Sequence, residues 1–268
     1  MEASYTTNVL PAEILEAIID QLHTDLRMLG TCSLVCSEWL TRSRYHVFSA
    51  IRLSPCRARR FFELCRTKLC TFVNCVNYID VDGAQTSEGK FSSDDTDFPF
   101  YRILSLSSFL THIKSLRIRN VNWTSFPLSD QNQLRQHLAS FTELCTLEFD
   151  NVMFHDLREI VRITSSFLYL SYIVINVKFS KYVEYAISSA AALTLPSHLK
   201  MLRLGTDEAI PVLLNTTFKG SRISRLILEG VKLWHLSYIS SGLRNLREVL
   251  QHLQINFSRG KDHFITVG

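Results

Sequence analysis

The chain has 268 residues, of which 46% are apolar, 20% charged and 11% aromatic. That content excludes a disordered chain, and 7 cysteines over this length, an odd number, exclude a small disulfide scaffold. A net charge of +4 is too mild to argue for a nucleic-acid partner by itself.

The first residues, Met1-Glu2-Ala3-Ser4, lack the basic start and apolar stretch of a signal peptide. The most apolar run, Phe167 to Phe179, is broken by Ser171, Asn176 and Lys178 and is too short to span a bilayer. The expectation is a soluble protein of the cytoplasm, the nucleus or both, with free thiols and no membrane partner.

The first fifty residues carry a helical pattern. Pro11 suits the first position of a helix, where its missing N–H costs nothing. Ile14, Leu15, Ile18, Ile19 and Leu22 follow on two adjacent faces, so one face packs internally and the other is left for a neighbour. Thr24 or Asp25 caps a second helix carrying Leu26, Leu29, Cys32 and Cys36. A third run, Trp39 to Arg52, shows Trp39, Leu40, Tyr45, Val47, Phe48 and Ile51. Three short helices make a marginal domain, so their surplus apolar surface is covered either by a partner or by the rest of this chain.

Leu10-Pro11-Ala12-Glu13-Ile14-Leu15, Ile18-Ile19-Asp20-Gln21-Leu22-His23 and Cys32-Ser33-Leu34-Val35-Cys36-Ser37-Glu38-Trp39 together resemble an F-box. The run from Ser43 to Leu53 is similar to F-box proteins of mushroom-forming fungi. The resemblance covers under a fifth of the chain. It implies docking on a Skp-type adaptor, and through it on a cullin–RING ubiquitin ligase. By position, it implies adaptor contacts at Leu10, Pro11, Ile14, Leu15, Ile18, Leu34, Val35 and Trp39.

A basic amphipathic helix, Arg57 to Cys65, is expected next, within a linking segment of residues 56–75; its arginines read as a solvated face rather than a nucleic-acid or membrane patch. Residues Ala84 to Phe98 read as a polar, acidic insertion. From Val76 onward a pattern of apolar, two residues, apolar, one residue, apolar recurs as Val76/Ile79/Val81, Ile113/Leu116/Ile118, Leu144/Leu147/Phe149, Leu170/Ile173/Ile175, Leu199/Leu202/Leu204, Ile223/Leu226/Leu228 and Leu250/Leu253/Ile255. The steps run from 24 to 37 residues. The pattern resembles degenerate leucine-rich repeats, one short strand per repeat followed by a helix. Helical stripes at Leu134/Leu138/Phe141, Leu157/Ile160/Val161/Thr164 and Val183/Ala186/Ile187/Ala190 fill the intervals. The expected fold is therefore α/β: an F-box over 1–55, then a curved solenoid with a parallel sheet over 76–268. A compact α/β domain of similar periodicity is the alternative. Gly268 follows the last strand closely, which leaves open a truncated solenoid end.

No catalytic constellation stands out: there is no G-x-S-x-G, no Gly-rich phosphate loop and no H-E-x-x-H. Cys32 and Cys36 lack a second ligand pair for zinc. A non-catalytic protein without metal or cofactor is expected. On the strands, residues beside the last apolar position alternate in sign: Asp80 and Asp82, Arg117 and Arg119, Glu148 and Asp150. Neighbouring strands would bring them side by side as ion pairs. The same positions further on are Val174 and Asn176, Arg203, Ile227 and Glu229, and Gln254 and Asn256, a less committed surface expected to take a protein substrate. The expected function is a substrate receptor of an SCF-type ubiquitin ligase; the alternative is a repeat scaffold that binds protein or nucleic acid with a vestigial F-box.

Overall fold

The computed structural model describes residues 10–67, 70–83, 105–110, 112–180, 195–205, 210, 213–214 and 222–258. The acidic insertion at 84–98, the stripe at Val183 to Ala190 and the end of the chain beyond Ser258 lie outside them. The described residues form a mixed α/β structure with a single sheet of eight strands. The strands are β1 (Ala50–Leu53), β2 (Tyr78–Asp82), β3 (Ser115–Arg119), β4 (Thr146–Phe154), β5 (Tyr172–Phe179), β6 (Met201–Leu204), β7 (Arg225–Val231) and β8 (His252–Phe257). All pair in parallel, and their order in the sheet is their order in the sequence.

One backbone device repeats at every step. The carbonyl just before a strand accepts two N–H groups from the entry to the next. Ser49 takes those of Asn77 and Tyr78 at 2.9 and 3.0 Å; Asn77, Lys114, Cys145, Ser171, Lys200 and Ser224 do the same for the strands that follow. This holds the expected apolar pattern in register. Ile79, Leu116, Leu147, Ile173, Leu202, Leu226 and Leu253 form one row, and Val81, Ile118, Phe149, Ile175, Leu204, Leu228 and Ile255 the next. Up to β7 both rows are buried, while the residues between them lie on the opposite face and, except for the buried Asp80, keep contact with water. One face of the sheet is thus covered and the other is open.

The third helical run ends earlier than its sequence pattern suggests. The helix stops at Phe48, and Ala50 to Leu53 is a strand paired with β2. Phe48, Ile51 and Leu53 themselves fit the repeating apolar spacing, so the first strand precedes Val76 and the sheet has one more strand than the seven expected.

Seven α-helices occur among the described residues. They are α1 (Ala12–Gln21), α2 (Leu26–Cys32), α3 (Ser37–Phe48), α4 (Pro55–Cys65), α5 (Leu128–Ala139), α6 (Leu157–Ser165) and α7 (Leu236–Leu246). Pro11 is the cap of α1 rather than its first residue. Asp25 caps α2, its carboxylate accepting the N–H groups of Arg27 and Met28. Cys36 is not in α2; it caps α3 and is exposed. Leu26 is likewise 61% exposed rather than packed. In the later part, α5 buries Leu134 and Leu138, and α6 buries Leu157, Ile160, Val161 and Thr164, as their spacing predicts; Phe141 is buried just past the end of α5. The helix expected from Arg57 begins at Pro55, with Pro at its first turn, and it places Ala58 and Cys65 in the same core as the sheet. That core runs continuously from Leu53 to Leu246. Ile19, Leu29 and Cys32 form a separate buried set under α1–α3. Phe48, at the end of α3, stacks on Phe72 at 4.5 Å and joins the two.

Strand exits need unusual backbone. Asn120 and Asn151 (φ 54°) and Gly230 (φ 67°) sit in the left-handed region, where asparagine and glycine are tolerated best. Asn151 and Gly230 mark the register shifts within β4 and β7. Gly30, inside α2, is the opposite case: it has helical geometry and nothing within 4 Å of where a Cβ would lie. A Gly30→Ala variant should therefore gain about 1 kcal/mol in helix propensity with no clash, read as a raised urea midpoint at an unchanged m-value.

Candidate functional site

Two surfaces stand out, and both derive from residues singled out in the sequence. The first lies on α1 and the turn after α2. Leu10, Ile14 and Ile18 recur every four residues along one side of α1 and are 52%, 49% and 42% exposed. Leu34 and Val35 are 86% and 59% exposed, and Pro11 is exposed as well. Leu15 and Trp39, expected on the same surface, are half-buried. The structure adds Leu26 and Met28 on α2, which the sequence pattern assigns ambiguously because a seven-residue helix has too few turns to show which face is inside. Such a density of exposed large apolar side chains is uncommon on a free surface.

These side chains are held on a braced frame. Asp20 on α1 accepts from Arg42 Nε and Nη2 at 2.5 and 2.6 Å, and His46 Nε2 lies 2.7 Å from it, both partners coming from α3. Arg42 first and His46 second hold the Asp20 carboxyl far below the ordinary carboxylate range. α1 thus presents its apolar side at a set angle rather than swinging on its linker.

The second surface is the open face of the sheet. On β1–β4 the expected alternation of charge is present and is extended by Arg52 on β1. Asp80 accepts from Arg52 Nε at 2.9 Å and from Arg119 Nε at 2.7 Å. Arg119 also reaches Asp82 at 3.1 Å, and Arg117 reaches Asp150 at 2.7 Å and Glu148 at 3.5 Å. The pairs run diagonally as well as straight across, because arginine spans both the neighbouring strand and the next residue along it. Past the strand ends an amide ladder continues: Asn120 Nδ2 donates to Asp82 and Asn151 Nδ2 donates to Asn120, each at 2.9 Å. Asn120, Asn122, Asn151, Met153 and Lys178 line an open depression of about 530 Å³ beside it.

On β5–β8 the register places Val174, Arg203, Ile227 and Gln254 in one row, and Glu229 beside Asn256 in the next. Not all of them are uncommitted. Arg203 Nη2 donates to Glu229 at 2.8 Å, and Asn176 Nδ2 donates to Asp150 at 2.8 Å, tying β5 to the charged half. Gln254 bonds Asn256 on its own strand. Tyr78 with Arg117 and Asp150, and Tyr172 with Arg203 and Glu229, form the same diagonal three strands apart. Sequence reasoning missed these tyrosines because they precede the row from which the charge alternation was read.

The Cys65 thiol is pushed up to about 12 by burial and by the adjacent Cys70, so it stays protonated at neutral pH. No group of His, Cys, Asp and Glu able to hold a metal occurs among the described residues. No described helix is long and apolar enough to cross a membrane. No protein-family model matches the chain, and no curated protein matches it.

Two changes test the frame and the ladder. Asp20 has a lower pKa folded than unfolded, so its contribution is complete above the unfolded value of about 3.9 and fades as pH falls below it. The stability gap between the protein and Asp20→Asn, measured by urea unfolding, should be open at neutral pH and narrow below about pH 4. The Asp80 side chain is 2% exposed. Asp80→Ala leaves Arg119 largely buried and short of its main partner, at a cost of about 3 kcal/mol in the same assay.

Proposed function

We propose that this chain is a substrate receptor of an SCF-type ubiquitin ligase, with α1–α3 as an F-box and the later strands as a curved, leucine-rich-repeat-like solenoid. The observation that carries the reading is the apolar stripe of Leu10, Ile14 and Ile18, together with Leu34 and Val35, left exposed on helices that Asp20, Arg42 and His46 brace. These are positions at which the sequence resembles the adaptor-contacting residues of F-boxes. Large aliphatic groups on a rigid frame suit a groove on a partner: the ordering cost is met in the free protein, and burying each group gains about 1.5–3 kcal/mol.

The other half of the role is capture. A sheet with one open face offers many side chains at a regular strand spacing of about 4.8 Å, a surface suited to an extended segment of another protein. Nothing in the role calls for a catalytic group here. Holding a substrate beside a charged conjugating enzyme raises the effective concentration of its lysines, and that proximity is the contribution to the rate.

The test is co-purification of the full chain with a Skp-type adaptor, followed by titration. Replacing Ile14 and Ile18 with alanine should weaken binding about thirty-fold or more, the equivalent of about 2 kcal/mol at one hot spot. Both side chains are more than 40% exposed, so the variant should melt with the parent protein. Full-strength adaptor binding by that variant, or none by the parent, overturns the reading.

A further inference from the structure

We propose that the open face of β5–β8 takes an acidic, aliphatic-bearing segment of a partner protein. The inference rests on the capture role above and names the chemistry of what is captured.

The two halves of the open face differ in how their charge is spent. On β1–β4, Arg52 contacts one of the acids Asp80, Asp82, Glu148 and Asp150, and Arg117 and Arg119 contact two each. That half is self-satisfied and carries one acid in excess. On β5–β8, Glu229 is the only acid among the described face residues, and Arg203 occupies it. Arg225, earlier on β7, is exposed and pairs with no acid among the described residues. Lys200 and Arg222, in the turns entering β6 and β7, are exposed and meet no described acid either. Lys200 is held close to Arg225, since its carbonyl accepts the Arg225 N–H at 3.0 Å. His252 is the register partner of Arg225 on the far side. Among the described residues, positive charge in this half therefore lacks its counterpart.

The spacing suits an extended chain. Arg203 pairs with Ile227, two residues beyond Arg225. Strand separation and rise per residue put the Arg203 and Arg225 backbones about 8 Å apart. Two carboxylates on an extended segment can meet them, one at Arg225 and one at the guanidinium N–H groups of Arg203 that Glu229 leaves over. Between and beside them lie Val174, Met201 and Ile227, half-buried aliphatic side chains that would be covered by an apolar group of the same segment.

The same features argue against a nucleic acid. A single-stranded polynucleotide wants stacked aromatic platforms and an unbroken basic track. Here the centre is aliphatic, Tyr172 is bonded to Arg203, and the acids of β4 border the patch. An acidic protein segment meets the cations on β6 and β7 and can keep clear of that border.

Fluorescence anisotropy on the full chain tests this with three probes: a labelled peptide alternating glutamate with leucine, the same peptide with lysine for glutamate, and an oligouridylate. The glutamate peptide should bind, with affinity falling as salt rises, and the other two should not compete. Arg225→Glu should weaken it at least about tenfold, as reversal of an interface charge does, and Lys200→Glu in the same direction. Arg158→Glu, at an exposed position of α6, should leave it unchanged. Equal binding of the lysine peptide, tighter binding of the oligouridylate, or no effect of Arg225→Glu overturns the inference. Adaptor co-purification of the same variants separates this from the capture role. If adaptor binding persists while the glutamate peptide fails, only the substrate class is wrong; the converse removes the ligase role and leaves the surface.

Discussion

The structure depends on one backbone constraint: a carbonyl at the mouth of each strand takes two N–H groups from the entry to the next. Parallel pairing in strict chain order follows from it, because each strand is offered its partner as the chain returns. The register places the same two side chains of every strand on the covered face, and a slip by one residue at any strand would turn that pair to water. Seven such steps in succession leave no strand that can shift alone.

The open face inherits its properties from the same register. Residues that alternate with the core rows are brought to adjacent strands, so acid and base on β1–β4 meet as Arg52–Asp80–Arg119 and Arg117–Asp150. The charge there is bound up in holding the sheet. Where the alternation stops, at Val174, the face becomes aliphatic and basic, and the charges on Arg225 and Lys200 have no partner among the described residues. The proposed division of labour along the sheet, one half stabilising and the other receptive, is a consequence of which residues fall between the apolar rows.

The N-terminal helices obey a different economy. With Ile19, Leu29 and Cys32 as the buried apolar side chains of α1–α3, their packing alone is thin. Two features compensate: the Asp20 link between α1 and α3, and the stacking of Phe48 on Phe72 that seats α3 against the sheet. The result is a small frame that leaves Leu10, Ile14 and Ile18 outward. In the proposed role those exposed side chains are the working surface, and the thin interior is completed on binding.

Much of this was legible in the sequence. The apolar spacing located seven strands in their true register, and the sign alternation foretold that the arginines of β3 meet acids of the strands beside it, since both depend only on the two-residue period of a strand and on neighbours pairing in order; which acid each arginine prefers was not foretold. The first strand was hidden because Phe48, Ile51 and Leu53 continue a helical stripe as readily as they open a strand; only the carbonyl of Ser49, offered to Asn77 and Tyr78, decides between them. The exposure of Leu26 and Cys36 was hidden for the same reason, since two turns of helix do not define a face. The diagonal reach of Arg117 and Arg119, the Tyr172–Arg203 bond and the capture of Asn176 by Asp150 were settled by tertiary structure alone. Long polar side chains choose among several partners within reach, and that choice depends on distances that no linear spacing encodes.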